Sequence, residues 1–245
     1  MIRCFKQCGL SLPEILVALV SSSLLITTLM SQYIGVKQHY KRSQAMLENS
    51  LDAQLVVDLM RDSIRQAGFT PCLGVEHLST IDMRTEKRGL TAIDLHSGDS
   101  PGFRVNHMSK QYGLFIKQVS LTHLRVTKEA ALSLQHPVII ADCYHAEVHS
   151  IEYLRSVSGS WEIGLKHPLL HSYQPPIYIG EWLEEGFFMH SGTLFYRLGH
   201  ADALSSAVHD VSVSLKTSHA KRLVHVALAM EKGLPIEVDT MMRVA

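Results

Sequence analysis

Two of the chain's 15 histidines have a spacing that could bind a metal ion. His145 and His149 flank Glu147 in a stretch that alternates apolar and polar residues. This alternation predicts a β-strand on which residues 145, 147 and 149 share one face. Two imidazoles and a carboxylate on one face could bind a metal. We favour a solvent-exposed sheet face instead, since the sequence shows none of the outer hydrogen-bond partners that orient metal ligands.

Motifs for enzymatic chemistry are missing from the sequence. No glycine-rich phosphate loop follows a strand-like segment, so nucleotide binding is not indicated. The segments Gly159-Ser160-Trp161 and Ser191-Gly192-Thr193 lack the Gly-x-Ser-x-Gly pattern of a nucleophile elbow. We therefore expect no enzyme activity, no cofactor and no metal.

Acidic and aromatic side chains between residues 161 and 188 are the remaining candidates for a binding surface. The pair Glu184-Glu185 precedes Gly186 in a loop-like stretch, and we interpret it as solvated surface. Aromatic residues nearby could form a patch for another subunit or a ligand, although such residues more often belong to the core or its rim. They are Trp161, Trp182, Phe187 and Phe188.

Glu14 is the only charged residue in the 21 residues from Leu10 to Met30. An apolar run of about 20 residues is long enough to cross a bilayer as a helix. Arg3 and Lys6 precede the run and no further lysine or arginine follows until Lys37, which predicts a cytoplasmic N-terminus. A carboxylate inside such a run is costly, so Glu14 is a candidate functional residue.

A cleaved secretory signal is the main alternative for this segment. Such signals have an apolar stretch of about 7–15 residues followed by a small-residue cleavage site. Here the run is longer, apolar residues continue after Ser21-Ser22-Ser23, and a helical pattern follows. We therefore expect a retained membrane helix.

The segments after the apolar run predict an α+β fold. Apolar residues recur at helical intervals as far as Leu59, so the helix continues to about Gln66, with Gly68 as a candidate C-cap. Short alternating segments separated by turns then predict an antiparallel sheet, on which the long N-terminal helix packs. The apolar stripe of the helix consists of Tyr33, Val36, Tyr40, Leu47, Leu51, Leu55 and Leu59.

The segment Gly9-Leu10-Ser11-Leu12-Pro13-Glu14 resembles the prepilin, or class III, signal. The resemblance implies that prepilin peptidase cuts between Gly9 and Leu10 and that the new amine of Leu10 is N-methylated. Prepilins usually have Phe at this first mature position, and Leu10 departs from that pattern. After the cut, Pro13 would lie in the first helical turn, where proline is tolerated. The resemblance also implies that Glu14 pairs with the N-terminal amine of a neighbouring subunit during assembly.

Later segments resemble the PilW-type minor pilins. The helix ends in Ile64-Arg65-Gln66-Ala67-Gly68-Phe69, with Cys72 close behind. The apolar run Val138-Ile139-Ile140-Ala141 leads into Asp142-Cys143, which resembles the second cysteine strand of that family. Weaker similarities lie at residues 177–179, 194–197 and 207–213.

The four cysteines form two groups. Cys4 and Cys8 lie in the basic leader, and processing would remove them. Cys72 and Cys143 remain, and an even pair in an exported domain indicates a disulfide bond. Two unrelated buried thiols are the alternative; a catalytic cysteine is less favoured, because no local Cys-His pairing is evident.

Net charge gives no sign of a nucleic-acid partner. The chain has 23 basic and 23 acidic side chains, and loss of Arg3 and Lys6 would leave 21 against 23, a formal charge of −2. A nucleic-acid-binding surface needs an excess of positive charge, so we expect no nucleic acid.

The resemblance implies four parts: a leader peptide at 1–9, a transmembrane and assembly helix at 10–31, its amphipathic continuation at 32–67, and a globular β-rich domain at 68–245. The implied function is that of a minor pilin in type IV pilus assembly, in a tip or priming complex. Its implied partners are prepilin peptidase, other minor and major pilins, and the inner membrane. The protein would first be a single-pass inner-membrane protein with a periplasmic domain, and later part of the pilus at the cell surface.

Other hypotheses stay open. A J-type minor pseudopilin of type II secretion shares the leader and the long helix, and only the elements around Cys72 and Cys143 favour PilW. The globular domain could instead be a pilus-tip adhesin or binding module. A membrane-anchored periplasmic enzyme is least favoured, because the sequence has no catalytic constellation.

Overall fold

The computed structural model describes residues 11–85, 88–95, 101–218, 221–230 and 235–242. The chain divides into two compact units, one up to Leu51 and one from Asp52 onward. The boundary lies within helix α1 (Leu12–Gln66), so the first unit is helical from Leu12 and the second begins with the last turns of the same helix.

Gly68 ends helix α1 in the left-handed conformation that favours glycine. Its φ is +69°, and its N–H donates to the carbonyl of Asn106 at 2.8 Å. A Cβ at this position would lie 2.8 Å from the Cβ of Ala92, which is too close for any side chain. The predicted C-cap is therefore confirmed, and the second unit packs tightly against it.

Among the described residues, the rest of the second unit consists of β-strands, connecting loops and one short 3-10 helix (Val75–His77). The strands are β1 (Ser79–Asp82), β2 (Ile93–Asp94), β3 (Gly102–Met108), β4 (Gly113–Gln118), β5 (His123–Thr127), β6 (Val138–Ala141), β7 (His145–His149), β8 (Ile151–Val157), β9 (Ser160–Leu165), β10 (Tyr178–His190), β11 (Thr193–Leu198), β12 (His200–Ser205), β13 (Val208–Ser218), β14 (Lys221–Met230) and β15 (Ile236–Met241).

Strand β10 is the centre of the large sheet. Its first residues, Tyr178–Glu181, pair with β6, and Tyr178 and Ile179 also pair with β4. The remainder pairs with β3 on one side and β11 on the other. Neighbouring strands extend this sheet in the order β1-β7-β6 on one side and β4-β5-β9-β8 on the other. All described pairs are antiparallel except β1 with β7.

A second sheet of three strands follows in the order β13-β14-β15. The sequence predicts Leu223–Met230 as the last strand, paired with its predecessor. The β13–β14 hairpin confirms the pairing, but the strand is not the last one, because β15 follows and pairs with β14.

Two clusters of buried side chains fill the second unit. In the larger one, Val56, Met60 and Ile64 of helix α1 are fully buried together with Phe103 of β3 and Trp182 of β10. The smaller one lies between the strands around β5, β6 and β9. The predicted α+β arrangement, with the end of the helix packed on a sheet, is thus observed.

The face of helix α1 that packs on the sheet differs from the predicted stripe. Leu55 is 61 % exposed and Leu59 is only partly buried, whereas Val56 and Met60 are fully buried. The two sets are one residue apart, which is a rotation of about 100° around the helix. Since residues on both faces are apolar, the sequence pattern alone could not distinguish the covered face from the uncovered one.

The prediction that Glu184 and Glu185 lie in a solvated loop is wrong, because both belong to β10. Glu184 forms an ion pair with Arg84 at 2.6 Å. Burial raises the pKa of Glu185. Burial also lowers the pKa of His107 to about 4. Nε2 of His107 lies 3.9 Å from Oε1 of Glu185. Partners from distant parts of the chain therefore allow acidic residues inside this strand.

Candidate functional site

The start of helix α1 is the first candidate site. The predicted cleavage and methylation positions, Gly9 and Leu10, lie outside the described residues. Ser11 is the residue directly before the helix, and Pro13 and Glu14 lie in its first turn. Proline at this position costs little, because the first N–H groups of a helix have no partner within the helix.

Glu14 has a hydrogen-bond partner within its own chain. The N–H and the hydroxyl of Ser11 both donate to Oε2 of Glu14, at 2.9 and 3.0 Å. This is the glutamate half of a capping box, in which the side chain three positions into the helix binds back to the N-cap residue. Oε1 accepts no hydrogen bond within the part of the chain that the structure describes, so one carboxylate oxygen remains for another donor.

The sequence interpretation overlooked Ser11. The spacing Ser-x-x-Glu at the start of an apolar helix is the usual signature of a capping box and could have revealed it.

Apolar side chains cover the helix all around from Leu12 to Met30. The large ones are between 47 % and 75 % exposed, and none of them belongs to a core cluster. They are Leu12, Ile15, Leu16, Val17, Leu19, Val20, Leu24, Leu25, Ile26, Leu29 and Met30. Among the described residues, α1 is the one helix long and apolar enough to cross a membrane. The 19 residues concerned span about 28 Å at 1.5 Å per residue, close to the thickness of a bilayer's hydrocarbon core.

The serine and threonine hydroxyls between Ser21 and Ser31 do not need water. Each hydroxyl donates to a backbone carbonyl three or four residues earlier in the helix, at no more than 3.3 Å. The residues concerned are Ser21, Ser22, Ser23, Thr27, Thr28 and Ser31. In hydrocarbon an unsatisfied donor is costly, so this pattern suits a lipid environment.

The apolar stripe continues beyond Met30 and is also uncovered. Tyr33, Val36, Tyr40, Leu47 and Leu51 are between 57 % and 69 % exposed. Charged residues such as Lys37, Lys41 and Glu48 lie between them, so this part of the helix is amphipathic rather than apolar all around. An exposed apolar stripe of this length is typical of a surface that another protein covers.

Cys72 and Cys143 form a disulfide bond, with their Cα atoms 5.3 Å apart. The bond joins the segment after helix α1 to the turn between β6 and β7, 71 residues later in the chain. The predicted pairing is therefore present, and it is typical of a domain that folds in an oxidising compartment.

The residues beside this disulfide form a buried polar cluster. Asp142 is fully buried, and its carboxylate accepts hydrogen bonds from the N–H groups of Tyr144, His145 and Gln174, at 2.7, 2.6 and 2.8 Å. Burial opposes ionisation of this carboxyl, but these three donors outweigh it and hold the pKa of Asp142 below its usual value.

Glu147 has the same kind of environment. It is fully buried on β7 and accepts hydrogen bonds from His149 Nε2 at 2.9 Å and from the N–H groups of Leu170 and His171 at 3.0 and 2.6 Å. Burial again opposes ionisation, and the donors again hold the pKa of Glu147 below its usual value. Asp142 and Glu147 thus anchor the loop between β9 and β10 to the sheet.

The predicted strand through His145, Glu147 and His149 is confirmed, but its interpretation as a solvent-exposed face is wrong. Glu147 and His149 are fully buried, because the loop between β9 and β10 covers this face of the strand. His145 stacks instead on His171 of that loop, with ring centroids 4.5 Å apart. Over the described ranges, no group of three or more His, Cys, Asp or Glu side chains has an arrangement that could hold a metal ion.

The aromatic residues of the predicted patch are separated by the fold. Trp182 and Phe187 are fully buried in the larger core cluster, whereas Trp161 packs beside the smaller one and donates its indole N–H to the carbonyl of Ala130. Phe188 is also partly exposed and stacks against Phe195.

Comparison of the chain with models of protein families, with curated proteins and with solved structures gives no match.

Proposed function

We propose that this protein is a minor pilin of PilW type, which takes part in type IV pilus assembly within a tip or priming complex. On this proposal prepilin peptidase cuts between Gly9 and Leu10. The mature protein is then held in the inner membrane by helix α1, with its β-rich domain in the periplasm, until it joins the pilus.

The observation that carries the proposal is the uncovered apolar surface of helix α1. A bilayer would cover the part from Leu12 to Met30. It would not cover the stripe from Tyr33 to Leu51, which extends beyond the length of one membrane crossing. A simple membrane anchor needs no such stripe, whereas a helix that packs against the helices of other pilins does.

Glu14 supports the same function. Ser11 satisfies one of its carboxylate oxygens, and Oε1 accepts no hydrogen bond within the described residues. A charged amine from a neighbouring subunit would supply a partner, and the attraction between the two charges would be strong in the low dielectric of a membrane or a helix bundle.

The disulfide bond between Cys72 and Cys143 fits the proposed periplasmic location of the domain. It does not distinguish a pilus subunit from other exported proteins. Processing of the N-terminus is therefore the decisive property.

The test is the mass of the intact protein from cells with and without prepilin peptidase. We expect the peptidase to remove residues 1–9, with or without a methyl group on Leu10, and we expect the full-length mass in cells that lack the enzyme. A variant with Gly9→Val provides the control, since a large residue before the cut should preserve the full-length mass in both strains. An unchanged mass of the wild-type protein in both strains would refute the proposal.

A further inference from the structure

Three exposed cations, Lys37, Lys41 and Arg42, follow the apolar part of helix α1. None of them forms an ion pair within the part of the chain that the structure describes. The sequence explains this, because it has no aspartate or glutamate between Glu14 and Glu48. The positive charge of this segment is therefore not compensated by neighbouring residues of the helix.

Lys37 and Lys41 lie on one face of the helix. They are four positions apart in the sequence, which places their side chains one turn apart on the same side. Two like charges at this spacing destabilise an exposed helix, and an anion bound beside both ammonium groups would remove that cost. Tyr33 and Tyr40 lie on the same side and are exposed. Tyrosines close to the end of an apolar helix are typical of the interface between a membrane and water.

The position of Lys37 along the helix coincides with the headgroup layer of a bilayer. Its backbone lies about 10 Å beyond Met30, where the apolar segment ends. Helical side chains lean towards the N-terminus, and the ammonium of Lys37 lies 6.0 Å from the centre of the Tyr33 ring, one turn earlier. The charge is thus about 5 Å beyond the apolar segment. The polar layer of a bilayer extends about 5–8 Å beyond the hydrocarbon on each side.

We infer that Lys37 and Lys41 bind the phosphate of an anionic phospholipid in the leaflet at this end of the apolar segment. A lysine keeps its alkyl stem along the helix while its ammonium contacts the headgroup phosphate. Lys41 lies one turn farther out, and its charge still acts at the headgroups, because charges attract one another over about 8–10 Å in physiological salt. The rest of the apolar stripe, up to Leu51, lies beyond the headgroups and remains for other helices.

This inference rests on the membrane insertion of helix α1, which is part of the proposed function. It goes beyond that function, because an apolar helix needs no particular lipid to cross a bilayer, whereas an uncompensated pair of lysines selects anionic headgroups. It does not depend on cleavage at Gly9 or on assembly into a pilus.

Quenching of a tryptophan by brominated lipids measures which headgroups surround this part of the helix. The reporter is Met30→Trp in the full-length protein, because residue 30 lies two turns before Lys37 on the same side of the helix. The vesicles contain equal amounts of phosphatidylcholine and phosphatidylglycerol, and the acyl chains of either one or the other lipid are brominated. The fluorescence of Trp161 and Trp182 is subtracted by means of the chain without the reporter.

We expect phosphatidylglycerol to be enriched at least about fivefold around the reporter, which corresponds to about 1 kcal/mol for one basic residue at an anionic surface. Lys37→Gln should lower this enrichment about fivefold, whereas Lys37→Arg keeps the charge and should preserve it. Salt at about 1 M should also lower the enrichment, since it reduces the Debye length to about 3 Å.

Arg65→Gln is the matched control for the loss of one positive charge. Arg65 is exposed on the same helix, about 50 Å beyond Met30, and therefore too far away to contact the headgroups. Its substitution should leave the enrichment unchanged.

Three outcomes would overturn the inference. Equal quenching by the two brominated lipids would show insertion without a preference for headgroups, and it would leave the proposed function intact. Quenching by neither lipid would place residue 30 outside the bilayer and would overturn the proposed membrane insertion as well. An equal loss of enrichment in Lys37→Gln and Arg65→Gln would show that the preference follows the net charge of the whole chain.

Discussion

Glu14 and Glu147 are carboxylates whose surroundings assign them opposite roles. Glu147 is fully buried, and each of its oxygens accepts a hydrogen bond from the same domain. Glu14 is exposed on the isolated chain, and within the described residues only Ser11 binds it, through one oxygen. Glu147 therefore stabilises a loop, whereas Glu14 has one carboxylate oxygen that accepts no hydrogen bond among the described residues.

The capping role and the proposed assembly role of Glu14 can be separated by mutation. Glu14→Gln keeps an oxygen that accepts the hydrogen bond of the Ser11 N–H but removes the charge. We expect normal membrane insertion and a more than tenfold lower incorporation into pili. A decrease of this size is expected because loss of one partner of an ion pair in a low dielectric is strongly destabilising. Immunoblots of sheared pili and of the membrane fraction measure both quantities.

Ser11→Ala is the matched control for this experiment. It removes the hydroxyl that donates to Glu14 and leaves the charge in place, so incorporation should stay close to the wild-type amount. Wild-type incorporation of Glu14→Gln would show that the residue only caps the helix.

The buried carboxylates predict a dependence of stability on acid. The hydrogen bonds to Glu147 and Asp142 lower their pKa values in the folded protein below those of the unfolded chain, which are about 4. The resulting stabilisation is complete above the unfolded values and is lost as the pH falls through the folded ones. We expect the free energy of unfolding to decrease steeply below about pH 4.

Glu147→Gln tests the part of this effect that belongs to Glu147. The amide keeps one acceptor oxygen but loses the charge, and we expect a loss of about 3 kcal/mol near pH 7 together with a shallower dependence on acid. Urea unfolding followed by the fluorescence of Trp161 and Trp182 measures both. Glu152 is an exposed residue on β8, the next strand in the chain, and Glu152→Gln should change neither quantity. An equal effect of the two substitutions would contradict the assignment to Glu147.

At the scale of elements, the sequence predicted the local structure well and the long-range structure poorly. Helix α1, its glycine cap at Gly68 and the β13–β14 hairpin follow from patterns within a few residues of one another. The central position of β10 does not, because its neighbours β3, β6 and β11 are chosen by contacts between distant segments. A pattern of alternating residues predicts a strand but not its partner.

The same limit explains why the sequence predicts a solvent-exposed face around Glu147 although this face is buried. A polar residue on a strand usually indicates solvent, and the N–H groups that make its burial possible belong to Leu170 and His171, more than twenty residues later. The Ser-x-x-Glu pattern that begins at Ser11, by contrast, is local and predicts the capping box directly. Gly9 and Leu10 stay predictions, since they lie outside the described residues.

Two glycines with the same backbone conformation predict how tightly the end of helix α1 is packed. Gly68 and Gly159 have φ values of +69° and +77°, but a Cβ would meet Ala92 at 2.8 Å in the first case and open space in the second. We expect Gly159→Ala to cost about 1 kcal/mol, from backbone strain alone. Gly68→Ala should cost about 3 kcal/mol, because overlap with a neighbouring side chain adds to that strain.

Urea unfolding of the two alanine variants measures this difference. Equal losses of stability would show that the packing around Gly68 relaxes without cost.

At the scale of the whole molecule, the disulfide bond ties the C-terminal end of helix α1 to the middle of the sheet. It closes a loop with a sequence separation of 71 residues, and a loop of this length gives a stabilisation of about 4 kcal/mol in the chain-entropy description. We expect Cys72→Ser with Cys143→Ser to lower the free energy of unfolding by about that amount. Reductant should have the same effect on the wild type and none on the double variant.

Non-reducing peptide mapping of the protein isolated from cells without reductant provides the direct check. Recovery of both cysteines as free thiols would exclude the bond from the native protein.

The position of β10 also determines the order in which the sheet can be completed. Residues of β3 pair with residues of β10 that come 74 to 86 positions later in the chain. At a synthesis rate of about 5–20 residues per second, β10 is made about 4–17 s after β3. During that interval one of its edges is unpaired and its buried side chains are uncovered, which is the state most prone to aggregate. A chaperone would therefore protect the protein during this interval, which ends when the segment up to His190 is available for pairing.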